Sequence, residues 1–158
     1  MLVGTTPEAP AEGTAPVVAA IDASPAATAV VARAARAAQE RVLPLELVHV
    51  RQTAVAEEAA EDAETAEEAE AAVAAHLSQL ASTGVRARGW VLHAVGDHSA
   101  VGRAVAEHAN ARGAAVIVVG AATHSALGAL AEGSATRTLS REARGSVVVV
   151  DTTEDARA

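Results

Sequence analysis

Two glycines and a serine raise the first chemical question in this chain. The stretch Gly120 to Ser134, GAATHSALGALAEGS, follows the apolar run AAVIVV and precedes the helical pattern ATRTLSREA. Glycine permits a sharp exit from a strand and lets backbone N–H groups approach a ligand with no Cβ in the way. A helix N-terminus adds unpaired N–H groups and a partial positive charge, and together these attract phosphate. Gly120, at the strand end, and Gly133-Ser134, at the expected start of the helix, are therefore a candidate phosphate cradle. The same residues also serve as a plain turn and a plain helix cap. Asp22 closes a second apolar run, PVVAAID. Its carboxylate can accept from ribose hydroxyls or an adenine amine, or it can bond the backbone of Ser24 in an Asx-turn.

Other chemistries find little support. The six histidines, His49, His76, His93, His98, His108 and His124, form no HExxH pair and have no carboxylate at ligand spacing, so no metal site is expected. His98 and His124 fall near the expected ligand edge and are candidates for phosphate contact or pH response. There is no G-x-S-x-G nucleophile elbow and no Walker motif. All twelve basic residues are arginine, so a P-loop lysine is excluded. No catalytic residue is assigned.

Positioning these residues requires a frame, and apolar periodicity supplies one. Strands are expected at 16–22, 43–50, 85–95, 114–119 and 146–150. Helices are expected at 24–42, 54–82, 96–113 and 134–144. Ser24 reads as a helix N-cap with Pro25 at the first helical position. Across 54–82, Val55, Ala59, Ala63, Ala66, Ala69, Val73, Leu77 and Leu80 make one apolar stripe. The other face carries Glu57, Glu58, Glu61, Asp62, Glu64, Glu67, Glu68 and Glu70, a solvated surface or an acidic docking face. Gly84 ends that helix, and Asp97 or Ser99 caps the next. Strands separated by helices run parallel through right-handed crossovers, giving an open α/β sheet with helices on both faces. Ligands on such sheets bind beyond the carboxyl ends of the strands, which directs attention to Asp22, Val50, Gly96, Asp97 and Gly120.

Composition bounds the rest. The chain has 158 residues, enough for one domain with a core. Hydrophobic residues are 51% and aromatics 1%, so the core must be built from Ala, Val, Leu and Ile. A formal net charge of −8 disfavours nucleic acid and anionic membrane surfaces as partners. With no cysteine there is no disulfide and no thiol chemistry. No apolar run approaches the roughly 20 residues of a membrane helix. The first residues have no signal-peptide pattern. A cytoplasmic protein without membrane insertion is expected. Residues 1–15 and 152–158 read as disordered tails around a domain at 16–151.

Several of these stretches together resemble the universal stress protein (UspA) family. The carriers are VVAAIDASPAATAVVARAA, LELVHV, VGDHSAVGRAVAEHA and AAVIVVGAATHS followed by GSATRTLSREARGSVVVV. The resemblance implies a Rossmann-like, five-stranded parallel sheet of order 3-2-1-4-5, and homodimers paired through the last strand, Ser146–Val150. One branch of the family binds ATP through G-x2-G-x9-G-[ST]. On this chain the first glycine is Gly120 and the last pair is Gly133-Ser134, while Thr123 stands where the middle glycine belongs. By the same match Asp22 approaches the nucleoside, Val50 offers backbone to adenine, and Ala135 adds an N–H to the phosphates. Threonine crowds a backbone approach and disfavours positive φ, so altered triphosphate binding is expected. Ala115 also departs from the family, which often has Asp there.

The resemblance leaves three roles open. The first is a stress-response or regulatory protein that binds ATP, cyclic AMP or cyclic di-AMP without rapid catalysis. The second is a ligand-free dimeric interaction module acting on a transporter or kinase. The third is a slow ATPase, for which only Asp22 and His124 stand near as bases.

Overall fold

A computed structural model describes residues 15–56, 59–62, 64–121 and 126–151. The chain runs β1 (Val17–Ile21), α1 (Ala27–Arg41), β2 (Leu45–Ala56), β3 (Ala59–Asp62), α2 (Ala66–Leu80), β4 (Ala87–Val95), α3 (His98–Ala111), β5 (Val116–Gly120), α4 (Ala126–Glu142) and β6 (Ser146–Val150).

All five expected strands form, and all pair in parallel. β1 lies between β2 and β5, β4 flanks β2, and β6 flanks β5. In order of appearance these five strands stand as 3-2-1-4-5. The sheet gains a sixth strand, β3, which folds back antiparallel on the far half of β2 from Thr53↔Asp62 to Ala56↔Ala59. The path turns one way from β1 through β2 to β4 and the other way through β5 to β6. The strand order therefore reverses between β1 and β5.

Alternation along the strands assigns the two faces. Val17, Ala19, Ile21, Leu45, Leu47, Val116 and Val118 pack against α1 and α2. Val18, Val48, Ile117 and Val119 pack against α3 and α4. Both faces are covered, so these strands read as continuous apolar runs rather than alternating ones. Ala34, Ala38, Ala106 and Ala109 are almost completely buried, so small side chains bring the helices close to the sheet. The closest approach is between α3 and α4, where a Cβ on Gly102 would lie 2.2 Å from the Ala135 carbonyl oxygen.

Three expectations are corrected. The single helix at 54–82 does not form. β2 continues to Ala56, β3 returns beside it, and only Ala66–Leu80 is helical. Local alanine periodicity fits a helix, but the antiparallel pairing with β3, from Thr53↔Asp62 to Ala56↔Ala59, holds this part of the chain extended. Ala69, Val73 and Leu80 of the expected stripe are buried, whereas Val55 is 66% exposed. Thr65 starts α2 instead, through a capping box with Glu68. Ser24 is likewise not the cap of α1, which begins at Ala27 with no side-chain cap. Last, α4 begins at Ala126 rather than near Ser134. The segment ALGALAE is rich in strong helix formers, and they outweigh the glycines.

One polar group is buried away from the strand carboxyl ends. His108 Nε2 lies 2.7 Å from Glu46 Oε2, and the Arg112 guanidinium sits 4.5 Å over the Trp90 ring. Glu46 is near the start of β2, so this cluster braces α3 against the sheet.

Candidate functional site

A cavity of about 290 Å³ opens beyond the carboxyl ends of β1, β2 and β5, where the strand order reverses. Asp22 follows β1, Val50 lies past the last β1 partner on β2, and Gly120 ends β5. All three line the cavity, and so does Ala135 on α4. The floor is apolar, with Val30, Val105 and Leu139 among its residues.

The turn after β1 is fixed by its own side chains. Asp22 Oδ1 accepts from the Ser24 N–H at 2.9 Å and from the Ser24 hydroxyl at 2.6 Å. This is the Asx-turn weighed for Asp22, and it coexists with a place in the cavity wall. One carboxylate oxygen holds the turn, and the other remains an acceptor.

His49 is nearly fully buried and also lines the cavity. Its Nδ1 donates to the Ile21 carbonyl at 2.9 Å, and its Nε2 bonds Glu64 Oε1. The imidazole therefore ties the end of β1 to the segment entering α2. Arg51 adds to this tether by donating to the Glu64 carbonyl at 3.4 Å. Gln52, another residue of the cavity wall, donates from Nε2 to the Gly96 carbonyl at 2.8 Å. Asp97 caps α3 by accepting from the Ser99 and Ala100 N–H groups. The Ser99 hydroxyl bond foremost, then those backbone bonds and nearby His98, hold the Asp97 carboxyl below its ordinary value. His98, the first residue of α3, lines the cavity as expected from its position.

The phosphate cradle differs from expectation. Gly133 and Ser134 lie within α4, where helical N–H groups are directed to carbonyls four residues earlier. Neither residue lines the cavity. Thr123 and His124 lie outside the described residues. The structure thus gathers Asp22, Val50, Gly120 and Ala135 and sets Gly133 and Ser134 apart from them. His49 and Gln52 were missed as site residues. Both lie within two residues of Val50, but no feature of the sequence marks them as cavity residues, because their bonds run to Ile21, Glu64 and Gly96. Among the described residues no three His, Asp or Glu side chains cluster as metal ligands, and no helix is long and apolar enough to cross a membrane.

A mostly parallel sheet covered by four helices, with its cavity at the switch point, defines an α/β protein of Rossmann-like class. The Universal stress protein family model matches residues 14–151, and the chain belongs to that family. Solved structures share the fold. A universal stress protein from Archaeoglobus fulgidus is 24% identical with a TM-score of 0.67, over 86% of this chain and 98% of the other. The Archaeoglobus fulgidus universal stress protein in complex with dAMP is 21% identical, TM-score 0.63, over 86% and 97%. A universal stress protein in complex with cAMP is 20% identical, TM-score 0.61, over 87% and 97%. No curated protein matches the chain.

Proposed function

We propose that this protein binds an adenine nucleotide in the cavity at the ends of β1, β2 and β5 and acts as a regulatory protein without rapid catalysis. The observation that carries the reading is the convergence of Asp22, Val50 and Gly120 on one cavity at the switch point of the sheet. The Asp22 oxygen left over from its Asx-turn suits a ribose hydroxyl, and the apolar floor suits a purine face. Bound dAMP and cAMP in two relatives of the same fold support the assignment.

The cavity favours a mononucleotide over ATP. A volume of about 290 Å³ is at the small end for ligand sites. Gly133 and Ser134, the intended triphosphate donors, have their N–H groups inside a helix. AMP and cyclic AMP are the preferred ligands, with cyclic di-AMP and ATP behind them. Slow hydrolysis is disfavoured because the chain has no lysine to steady a transferring phosphoryl group. A cytoplasmic location and a homodimer built through Ser146–Val150 complete the proposal.

Isothermal titration with AMP, cyclic AMP, cyclic di-AMP and ATP tests it. The expected outcome is saturable binding of AMP or cyclic AMP that weakens about tenfold in Asp22→Ala, the scale of one charge-assisted hydrogen bond. No heat from any of the four at high micromolar protein refutes the reading and favours a ligand-free interaction module.

A further inference from the structure

Gln52 combines an amide fixed on the Gly96 carbonyl with a place in the cavity wall. β2 pairs with β1 only as far as Ile21↔His49, and the β3 pairing begins at Thr53↔Asp62. Odd-numbered residues of β2 direct their main-chain groups to β4: the Leu45 N–H donates to the Arg86 carbonyl at 2.9 Å, and the Thr53 carbonyl accepts from the Gly96 N–H at 3.0 Å. Even-numbered residues therefore direct theirs to the β1 side. The Val50 carbonyl thus points toward β1, past its last paired residue, whereas the Gln52 amide reaches Gly96, the residue after β4, so the two groups are directed apart.

The Gln52 side chain lies on the same face as Val50, because strand side chains repeat every two residues. It also lines the cavity. Its amide orientation is decided by its partner: the Gly96 carbonyl can only accept, so the bond at 2.8 Å comes from Nε2. The remaining end is Oε1, an acceptor, and no described residue donates to it.

We infer that Gln52 is a specificity residue whose pinned Oε1 selects a base bearing an exocyclic amine over the same base bearing a carbonyl oxygen. The inference rests on the nucleotide reading above. An amine has a proton to give to that acceptor. A carbonyl oxygen in its place sets lone pair against lone pair and leaves the Gln52 acceptor unmatched. Rotation of the Gln52 amide does not rescue the carbonyl form, because turning Nε2 inward sets Oε1 against the Gly96 oxygen.

AMP and inosine monophosphate are suitable probes. They have the same sugar, phosphate and ring outline. The inosine form replaces the amine with a carbonyl oxygen and protonates the neighbouring ring nitrogen. Titration calorimetry on the full chain is expected to favour AMP by about tenfold or more. In Gln52→Met and in Gln52→Leu, which both remove the acceptor, the two affinities converge. Circular dichroism of both variants checks that the fold persists. AMP binding with an unchanged preference in Gln52→Met overturns the inference alone. Failure of both probes to bind the wild-type chain overturns it together with the nucleotide reading.

Discussion

Val42 ends α1 with φ 54°, in the left-handed region, and is 85% exposed. A β-branched side chain there crowds the backbone by about 1–2 kcal/mol, and glycine removes that cost. Exposure means that little packing is lost. Extra freedom in the unfolded chain offsets part of the gain. Val42→Gly is therefore expected to raise stability by about 1 kcal/mol, read as a higher midpoint in urea at unchanged m-value. A lower midpoint would show that Val42 makes contacts its exposure does not reveal. Legibility at this scale followed from reach. Asp22 and Gly120 stand at strand ends and Val50 where the pairing of β2 with β1 stops, positions that the apolar runs mark. His49 and Gln52 were not readable, because their roles depend on partners at Ile21, Glu64 and Gly96.

At the scale of elements, two glycines within helices should respond in opposite ways. Propensity alone favours alanine over glycine in a helix interior by about 1 kcal/mol. At Gly133 the nearest atom to a new Cβ among the described residues is an Arg137 side-chain nitrogen at 3.9 Å, so Gly133→Ala is expected to stabilise by about 1 kcal/mol. At Gly102 the new Cβ meets the Ala135 carbonyl at 2.2 Å, and backbone cannot step aside cheaply. Overpacking of this kind costs about 1–3 kcal/mol, so Gly102→Ala is expected to destabilise despite the better propensity. Thermal unfolding of the two variants side by side measures both signs. Gly102 and Ala135 both line the cavity, so Gly102→Ala should also weaken the ligand. Loss of stability in Gly133→Ala would restore the original reading of that residue as a helix start. The misreadings at this scale share one cause. Alanine-rich segments satisfy helical and extended patterns alike, and distant pairing decides between them.

For the whole molecule, the open feature is the outer edge of β6. The Ser146 N–H donates to Ala115 and the Val150 carbonyl accepts from Ala121, so even-numbered residues face β5. Val147 and Val149 therefore turn their main-chain groups outward, and Val149 is 49% exposed. No described strand pairs with that edge. An unprotected edge of this kind invites a second strand, and a second copy of β6 is the proposed partner. Val149→Pro removes one outward N–H without breaking a bond to β5. Light scattering should find the wild type at twice the chain mass and the variant at the chain mass, both with a native circular dichroism spectrum. A monomeric wild type at tens of micromolar, or a dimeric variant, rejects pairing through β6.

From its sequence alone, the chain determined its alternation of strands and helices, because apolar runs long enough to be buried on both faces leave few alternatives. That alternation, with the residue types at the strand ends, also located the edge of the sheet at which the cavity opens. Tertiary structure decided the rest. It carried β2 along β4 as far as Thr53 and on to Ala56 beside β3, because pairing between strands supplies hydrogen bonds that no local pattern encodes. It placed Gly133 and Ser134 within α4, away from the cavity that their spacing had suggested. It also brought His49 and Gln52 to that cavity, since a side chain's role is set by the atoms it meets across the fold.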